Sequence, residues 1–128
     1  MALTIKSSKR HGRGVFTTAD IKKNNIVEIC PMLILKKKDL KHINETILYE
    51  YFFEWTNGCP ALALGFGSLY NHSYQPNVGV FFDKNKYQAN YRALKDIKKG
   101  EELLINYNGY DDSPERDYFR NSKKHVVE

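Results

Sequence analysis

Gly65-Phe66-Gly67-Ser68-Leu69-Tyr70-Asn71-His72-Ser73-Tyr74-Gln75-Pro76-Asn77 is the stretch on which the fold of this chain turns. Together with Gly58, Pro60 and Gly79 it makes residues 57–79 rich in glycine, proline, asparagine and serine. That is loop chemistry, broken by short apolar insertions such as residues 61–64. A loop that carries apolar residues inward must have its backbone groups satisfied by other segments. The centre of the chain is therefore expected to be irregular and clamped by the segments on either side.

Working outward, Val78, Val80 and Phe82 alternate with Gly79 and Phe81, and Tyr87, Ala89, Tyr91 and Ala93 alternate after a turn at 83–86. This is hairpin patterning. Further out, one phrase occurs twice: Val15-Phe16-Thr17-Thr18-Ala19-Asp20-Ile21-Lys22-Lys23-Asn24-Asn25-Ile26-Val27 reads like Tyr91-Arg92-Ala93-Leu94-Lys95-Asp96-Ile97-Lys98-Lys99-Gly100-Glu101-Glu102-Leu103. Each copy has a β-prone start, an isoleucine for the core, a Lys-Lys-Asn or Lys-Lys-Gly turn that accepts positive φ, and a β-prone exit. Two matching strand–turn–strand units follow, the second running on into a buried strand at Leu103-Leu104-Ile105. Helix is sparse: residues 39–43 suit a turn or two, and Leu48, Tyr51, Phe52 and Trp55 fall on an i, i+3, i+4, i+7 stripe.

With 128 residues and 41% hydrophobic content, the chain suits one domain and leaves no room for a second core. Its longest apolar run, residues 26–35, is interrupted by Glu28 and Pro31 and falls short of the ~18–20 residues that cross a bilayer. The start has no long apolar h-region, so the sequons at Asn44 and Asn71 are discounted. The protein is expected to be intracellular, in the cytoplasm or nucleus, and neither secreted nor membrane-bound. Cys30 and Cys59 are too far apart in sequence for a CxxC pair and too few for a four-thiolate zinc site, so both read as buried free thiols and no metal is expected. The net charge of +5 permits nucleic-acid binding without demanding it. Lysine clusters at 36–38, 95–99 and 123–124, whereas residues 101–117 hold Glu101, Glu102, Asp111, Asp112, Glu115 and Asp117 against Arg116 alone.

Three segments, in order, carry a resemblance: His11-Gly12-Arg13-Gly14-Val15-Phe16, the central Gly65 to Asn77 stretch with its Asn-His-Ser-x-x-Pro-Asn pattern, and Gly100-Glu101-Glu102-Leu103-Leu104-Ile105-Asn106-Tyr107. Together they resemble the SET domain of protein-lysine methyltransferases, over roughly residues 10–112. The small free-standing viral and bacterial forms look most similar, because cysteine-rich flanks are missing. The resemblance implies a mostly β fold of several short antiparallel sheets with few short helices. It also implies a knot-like crossing in which the C-terminal segment passes under a loop near the Asn-His-Ser stretch. The whole of 1–128 reads as one such domain, with a C-terminal extension at 113–128.

By the same resemblance the protein transfers methyl from S-adenosyl-L-methionine to a lysine amine of a protein substrate, histone or histone-like. Tyr107 matches the catalytic tyrosine and Tyr51 looks like the second tyrosine of the lysine channel. His11, Gly12, Arg13, Asn71 and His72 match cofactor-binding positions, and Tyr110 and Phe119 are aromatic candidates for closing the cofactor cleft. Asn108 stands where many relatives carry glycine. A homodimer is expected by analogy with the free-standing forms. The acidic window around Tyr107 would draw in a cationic lysine peptide. The alternative from a different class is a basic module that holds nucleic acid or lysine tails without catalysis. The aromatics argue against stacking on nucleic acid, since they sit in strand-like patterns instead of between the lysine runs.

Overall fold

The structure, a computed structural model, describes residues 2–107. Its strands are β1 (Leu3–Ser7), β2 (Arg13–Thr17), β3 (Ile26–Ile34), β4 (Phe53–Glu54), β5 (Pro60–Ala63), β6 (Asn71–His72), β7 (Val78–Asp83), β8 (Gln88–Ala93) and β9 (Glu102–Ile105). Among the described residues helix is confined to α1 (Leu40–Ile43) and to 3-10 turns at Lys37–Asp39, Ile47–Glu50 and Gly67–Leu69. Among the described residues the strands form two sheets, ordered β1-β2-β9-β6 and β4-β5-β3-β8-β7. The mostly β expectation is met. Pairing is antiparallel throughout except for β6 with β9, which is parallel, with Asn71 opposite Leu104 and His72 opposite Ile105. Among the described residues no helix is long and apolar enough to cross a membrane.

The two copies of the repeated phrase dock on each other. Ile21 and Ile97 exchange both backbone bonds, at 2.7 and 2.8 Å. The Lys23 N–H donates to Asp96 Oδ1 at 2.9 Å, and the Lys99 N–H donates to Asp20 Oδ1 at 2.8 Å, so equivalent positions reciprocate. The turn residues Asn24 and Gly100 both take positive φ, 75° and 91°. This clasp delivers β2 and β9 side by side, with Val15 opposite Leu103. Val15, Leu103, Ile105, Val78, Ala89, Tyr91 and Ile97 are buried and form much of the core.

Some sequence expectations give way. The stripe from Leu48 to Trp55 is not one helix: a 3-10 turn capped by Thr46, whose hydroxyl accepts from the Leu48 N–H at 3.1 Å, ends at Glu50, and the chain is extended again at β4. Tertiary packing decides there, because Phe52, Phe53 and Trp55 are all buried, which a single helical face would not achieve. Residues 61–64 are mostly strand, in β5. Tyr87 is not an inward strand residue; it stands at the hairpin turn with φ 52° and is 59% exposed. Both cysteines are free, but Cys59 is only partly buried.

β9 is held on both edges, by β2 and by the central stretch. The Ser73 N–H donates to the Ile105 carbonyl at 2.9 Å. The Asn77 side chain acts as a substitute strand: its Nδ2 donates to the Glu102 carbonyl at 2.9 Å and its Oδ1 accepts from the Leu104 N–H at 2.8 Å. An irregular stretch can stay buried here because the C-terminal strand supplies its partners.

Candidate functional site

The crossing of β6 and β9 opens onto a cleft, continuous with solvent and lined by His11, Gly12, Arg13, Glu50, Tyr51, Ser68, Leu69, Tyr70, Asn71 and Tyr107. Six of the sequence-predicted residues therefore meet there: His11, Gly12, Arg13, Tyr51, Asn71 and Tyr107. His72 is not in the lining, and Tyr110 and Phe119, like Asn108, Asp111 and Asp112, lie outside the described residues.

Tyr107 is fixed at both ends. Its backbone N–H donates to His72 Nδ1 at 3.0 Å and its hydroxyl donates to the Tyr70 carbonyl at 2.8 Å. The one phenolic proton is thus engaged inside the protein. His72 Nδ1 must be unprotonated to accept, so the ring carries its proton on Nε2 when neutral. Its backbone carbonyl also accepts from Arg10 Nη1 at 3.1 Å. The His72 ring also packs beside that of Tyr107, with ring centroids 5.0 Å apart.

Asn71 is likewise engaged within the protein. Its Nδ2 donates to the His11 carbonyl at 3.1 Å, the Arg13 carbonyl at 3.2 Å and Glu102 Oε2 at 2.9 Å, three acceptors sharing two protons. It therefore ties the N-terminal loop to β9. Glu102, read from sequence as part of a motif and of the acidic window, is the hub: both of its carboxyl oxygens also accept from the Ser8 hydroxyl, at 2.8 and 3.0 Å. Gly14 makes room for it, since a Cβ there would stand 2.1 Å from Glu102 Oε2 and 2.9 Å from Asn71 Nδ2. Glu50 was also missed; its one sequence signal was its place beside Tyr51.

A second buried network stands behind the cleft. The Tyr70 hydroxyl donates to Glu28 Oε1 at 2.8 Å, the Phe66 N–H donates to Glu28 Oε2 at 2.9 Å, and the Tyr91 hydroxyl donates to the Gly67 carbonyl at 2.7 Å. Tyr70 and Tyr91 stack with centroids 4.6 Å apart. The loop that presents the Tyr70 carbonyl to Tyr107 is thereby held from inside by Glu28.

Burial pushes the acidities of this region upward. Desolvation, then Glu28, raises the Cys30 thiol and the Tyr70 phenol well above their ordinary values; desolvation, then Tyr51, Glu102 and Glu50, raises Tyr107. Tyr107 is a neutral phenol at physiological pH and does not serve as a phenolate base. All three folded-state values exceed the unfolded ones, so their contribution to stability is intact below about pH 9 and is lost as pH rises further. The melting temperature should accordingly fall between about pH 9 and 11, by up to about 1.4 kcal/mol of stability per pH unit for each group. A thermal melt series would show this, and a temperature that holds level across that interval would contradict it.

The SET domain family matches residues 12–108. The chain belongs to the SET domain family. As a SET domain it is similar to the Schizosaccharomyces pombe histone-lysine N-methyltransferase, H3 lysine-37 specific, at 40% identity over 106 residues, covering 82% of this chain and 72% of that protein. It is 32% identical over 103 residues to the human protein-lysine N-trimethyltransferase SMYD5, covering 76% of this chain and 24% of that protein. In structure it is similar to a Plasmodium falciparum protein crystallised as a candidate histone methyltransferase: TM-score 0.64, 35% identity, 85% of this chain and 98% of that one. These relatives are eukaryotic, in contrast to the viral and bacterial forms expected from the sequence. On this kinship the SET domain described here is an enzyme, a protein-lysine N-methyltransferase.

Proposed function

We propose that the cleft binds S-adenosyl-L-methionine and that the protein transfers its methyl group to a lysine amine of a histone or histone-like protein. The single observation that carries this reading is Tyr107, fixed at both ends in the lining of a cleft that it shares with Tyr51, Tyr70 and the loop of His11, Gly12 and Arg13. Bound there, the cofactor would supply an electrophilic methyl on a sulfonium.

The residues suit such a group. Gly12 bends the N-terminal loop along the cleft at φ 49°, and nothing lies within 4 Å of where its Cβ would stand, so a ligand can approach the backbone closely. His11, Gly12 and Arg13 would hold the cofactor chiefly through backbone and shape, since Asn71 holds that loop in place. Tyr51, Tyr70 and Tyr107 would wall the channel for the lysine side chain.

A lysine amine with pKa ~10.4 is neutral in only about one part in a few thousand at pH 7. Desolvation between tyrosine rings favours the neutral form, so no dedicated base is required. Glu50 lines the same cleft and would attract the ammonium as it enters. Tyr107, held rigid in the channel wall, would orient the lysine amine toward the bound methyl donor, and such orientation lowers the barrier. Relatives named as histone methyltransferases favour a histone-like substrate and a nuclear or other intracellular setting. A homodimer would place a second copy beside the cleft.

Calorimetric titration with S-adenosyl-L-methionine tests this reading. Saturable binding is expected, weakened at least tenfold in Asn71→Ala as the loop loses its tie, and mass spectrometry should show methylated lysine on histone substrates. Sedimentation of the same sample at micromolar concentration reports whether the active species is a dimer. An intact protein that ignores the methyl donor ends the proposal.

A further inference from the structure

The clasp between the two copies of the repeated phrase gathers lysines that the cleft does not use. Lys22 and Lys23 come from one copy, Lys95, Lys98 and Lys99 from the other. All five are exposed, and all lie within two residues of Ile21 or Ile97, whose paired backbone bonds lock the copies together. Consecutive Cα atoms are about 3.8 Å apart and bonded antiparallel partners about 5.5 Å, so the five Cα atoms fall within about 20 Å of one another. Arg92 Nη1 donates to the Asn24 carbonyl at 2.7 Å, which brings a sixth exposed cation to the Asn24 turn.

Three acidic residues stand among these cations, and each accepts from the backbone of a lysine. Asp96 Oδ1 takes the Lys23 N–H at 2.9 Å, Asp20 Oδ1 the Lys99 N–H at 2.8 Å, and Glu101 Oε1 the Lys98 N–H at 3.3 Å. These carboxylates shape the turns. Six cations against three carboxylates leave an excess of three positive charges on one small surface, in a chain whose whole net charge is +5. Like charges held this closely repel one another, and an anionic partner relieves that repulsion.

The composition of the patch selects the kind of anion. Residues 18–25 and 94–101 contain no aromatic, and their isoleucines at 21 and 97 pack on the core. Protein interfaces are depleted in lysine and centre on aromatic and apolar anchors, which these segments do not offer. Single-stranded nucleic acid is held by stacking on aromatic rings, which they do not offer either. A duplex asks only for spaced positive charge, since about 20 Å of it carries roughly a dozen phosphates. We propose that the clasp binds the phosphate backbone of double-stranded nucleic acid, without regard to base sequence. β2 and β9 run from the clasp, at Thr17 and Glu101, to the cleft, at Arg13 and Tyr107. A duplex on the clasp therefore leaves the cleft open. The surface stands apart from the proposed methyl transfer and needs no methyl donor.

Fluorescence anisotropy of a labelled, mixed-sequence DNA duplex of about 20 base pairs, titrated with the full chain at about 50 to 200 mM salt, tests this. Saturable binding is expected, with log K falling against log salt at a slope of about −4. The triple variant Lys23→Ala/Lys98→Ala/Lys99→Ala keeps every backbone N–H that closes the clasp, and should melt like the parent. It should bind at least tenfold more weakly at about 50 mM salt, with a slope flatter by about 3, near one for each lysine. The separate pair Lys22→Gln/Lys95→Gln should flatten it by about 2. Lys36→Ala/Lys37→Ala/Lys38→Ala removes the same charge from an equally exposed run elsewhere and should stay within about threefold of the parent. Equal weakening by the two triple variants overturns the site, as does a parent protein that ignores the duplex at the lowest salt. A single strand of the same length that binds as tightly overturns the assignment to a duplex. Polyglutamate or phosphatidylserine vesicles that displace the duplex at equal negative charge overturn the assignment to nucleic acid.

Discussion

Tyr107→Phe lowers kcat for methyl transfer on the order of 10²–10³-fold, the range expected when one preorganised polar contact at the reacting atoms is removed. The ring stays, so the channel keeps its apolar wall, and the His72 bond to the residue 107 backbone is untouched. What disappears is the hydroxyl and the proton it gives to the Tyr70 carbonyl. That carbonyl is left buried without this donor, at a stability loss of about 1–3 kcal/mol. Single-turnover kinetics at saturating donor and peptide, beside a thermal melt, separate the two effects. A variant that retains a rate within threefold of the parent removes Tyr107 from the chemistry.

Glu28→Ala is expected to be the most damaging change outside the cleft. The side chain is 3% exposed and accepts from both the Tyr70 hydroxyl and the Phe66 N–H, each of which would lose its acceptor. Leaving two buried donors without their acceptor costs roughly 3–5 kcal/mol, or about 11–19 °C in melting temperature for a chain of this size. Activity should fall further than the loss of folded protein explains, because the loop carrying Tyr70 also orients Tyr107. Glu28→Gln keeps one acceptor and the shape, and should recover at least half of the loss in Tm. Equal melting of the alanine and glutamine variants would show that the site tolerates an empty space as well as a mispaired amide, contrary to this reading.

The parts legible from sequence alone were those encoded in short runs: the β7–β8 alternation, the twice-written phrase with its positive-φ turn residues, the buried β9, and the three segments that bear the family likeness. Local pattern suffices for these because each strand needs a period of two and each turn needs a permissive residue, and both requirements are met by neighbours in the chain. Other features depended on partners far away in sequence. Glu28 looked like an interruption in an apolar run and is instead the acceptor for a loop some forty residues on; Asn71 and His72 looked like ligand contacts and are engaged by the N-terminal loop, Glu102 and Tyr107. The Leu48 to Trp55 stripe fitted a helix until packing required Phe52, Phe53 and Trp55 to be buried together. A side chain's role as brace or contact is set by which hydrogen-bonding groups the crossing of β6 and β9 brings within about 3 Å, and that distance exists only once the chain has closed on itself.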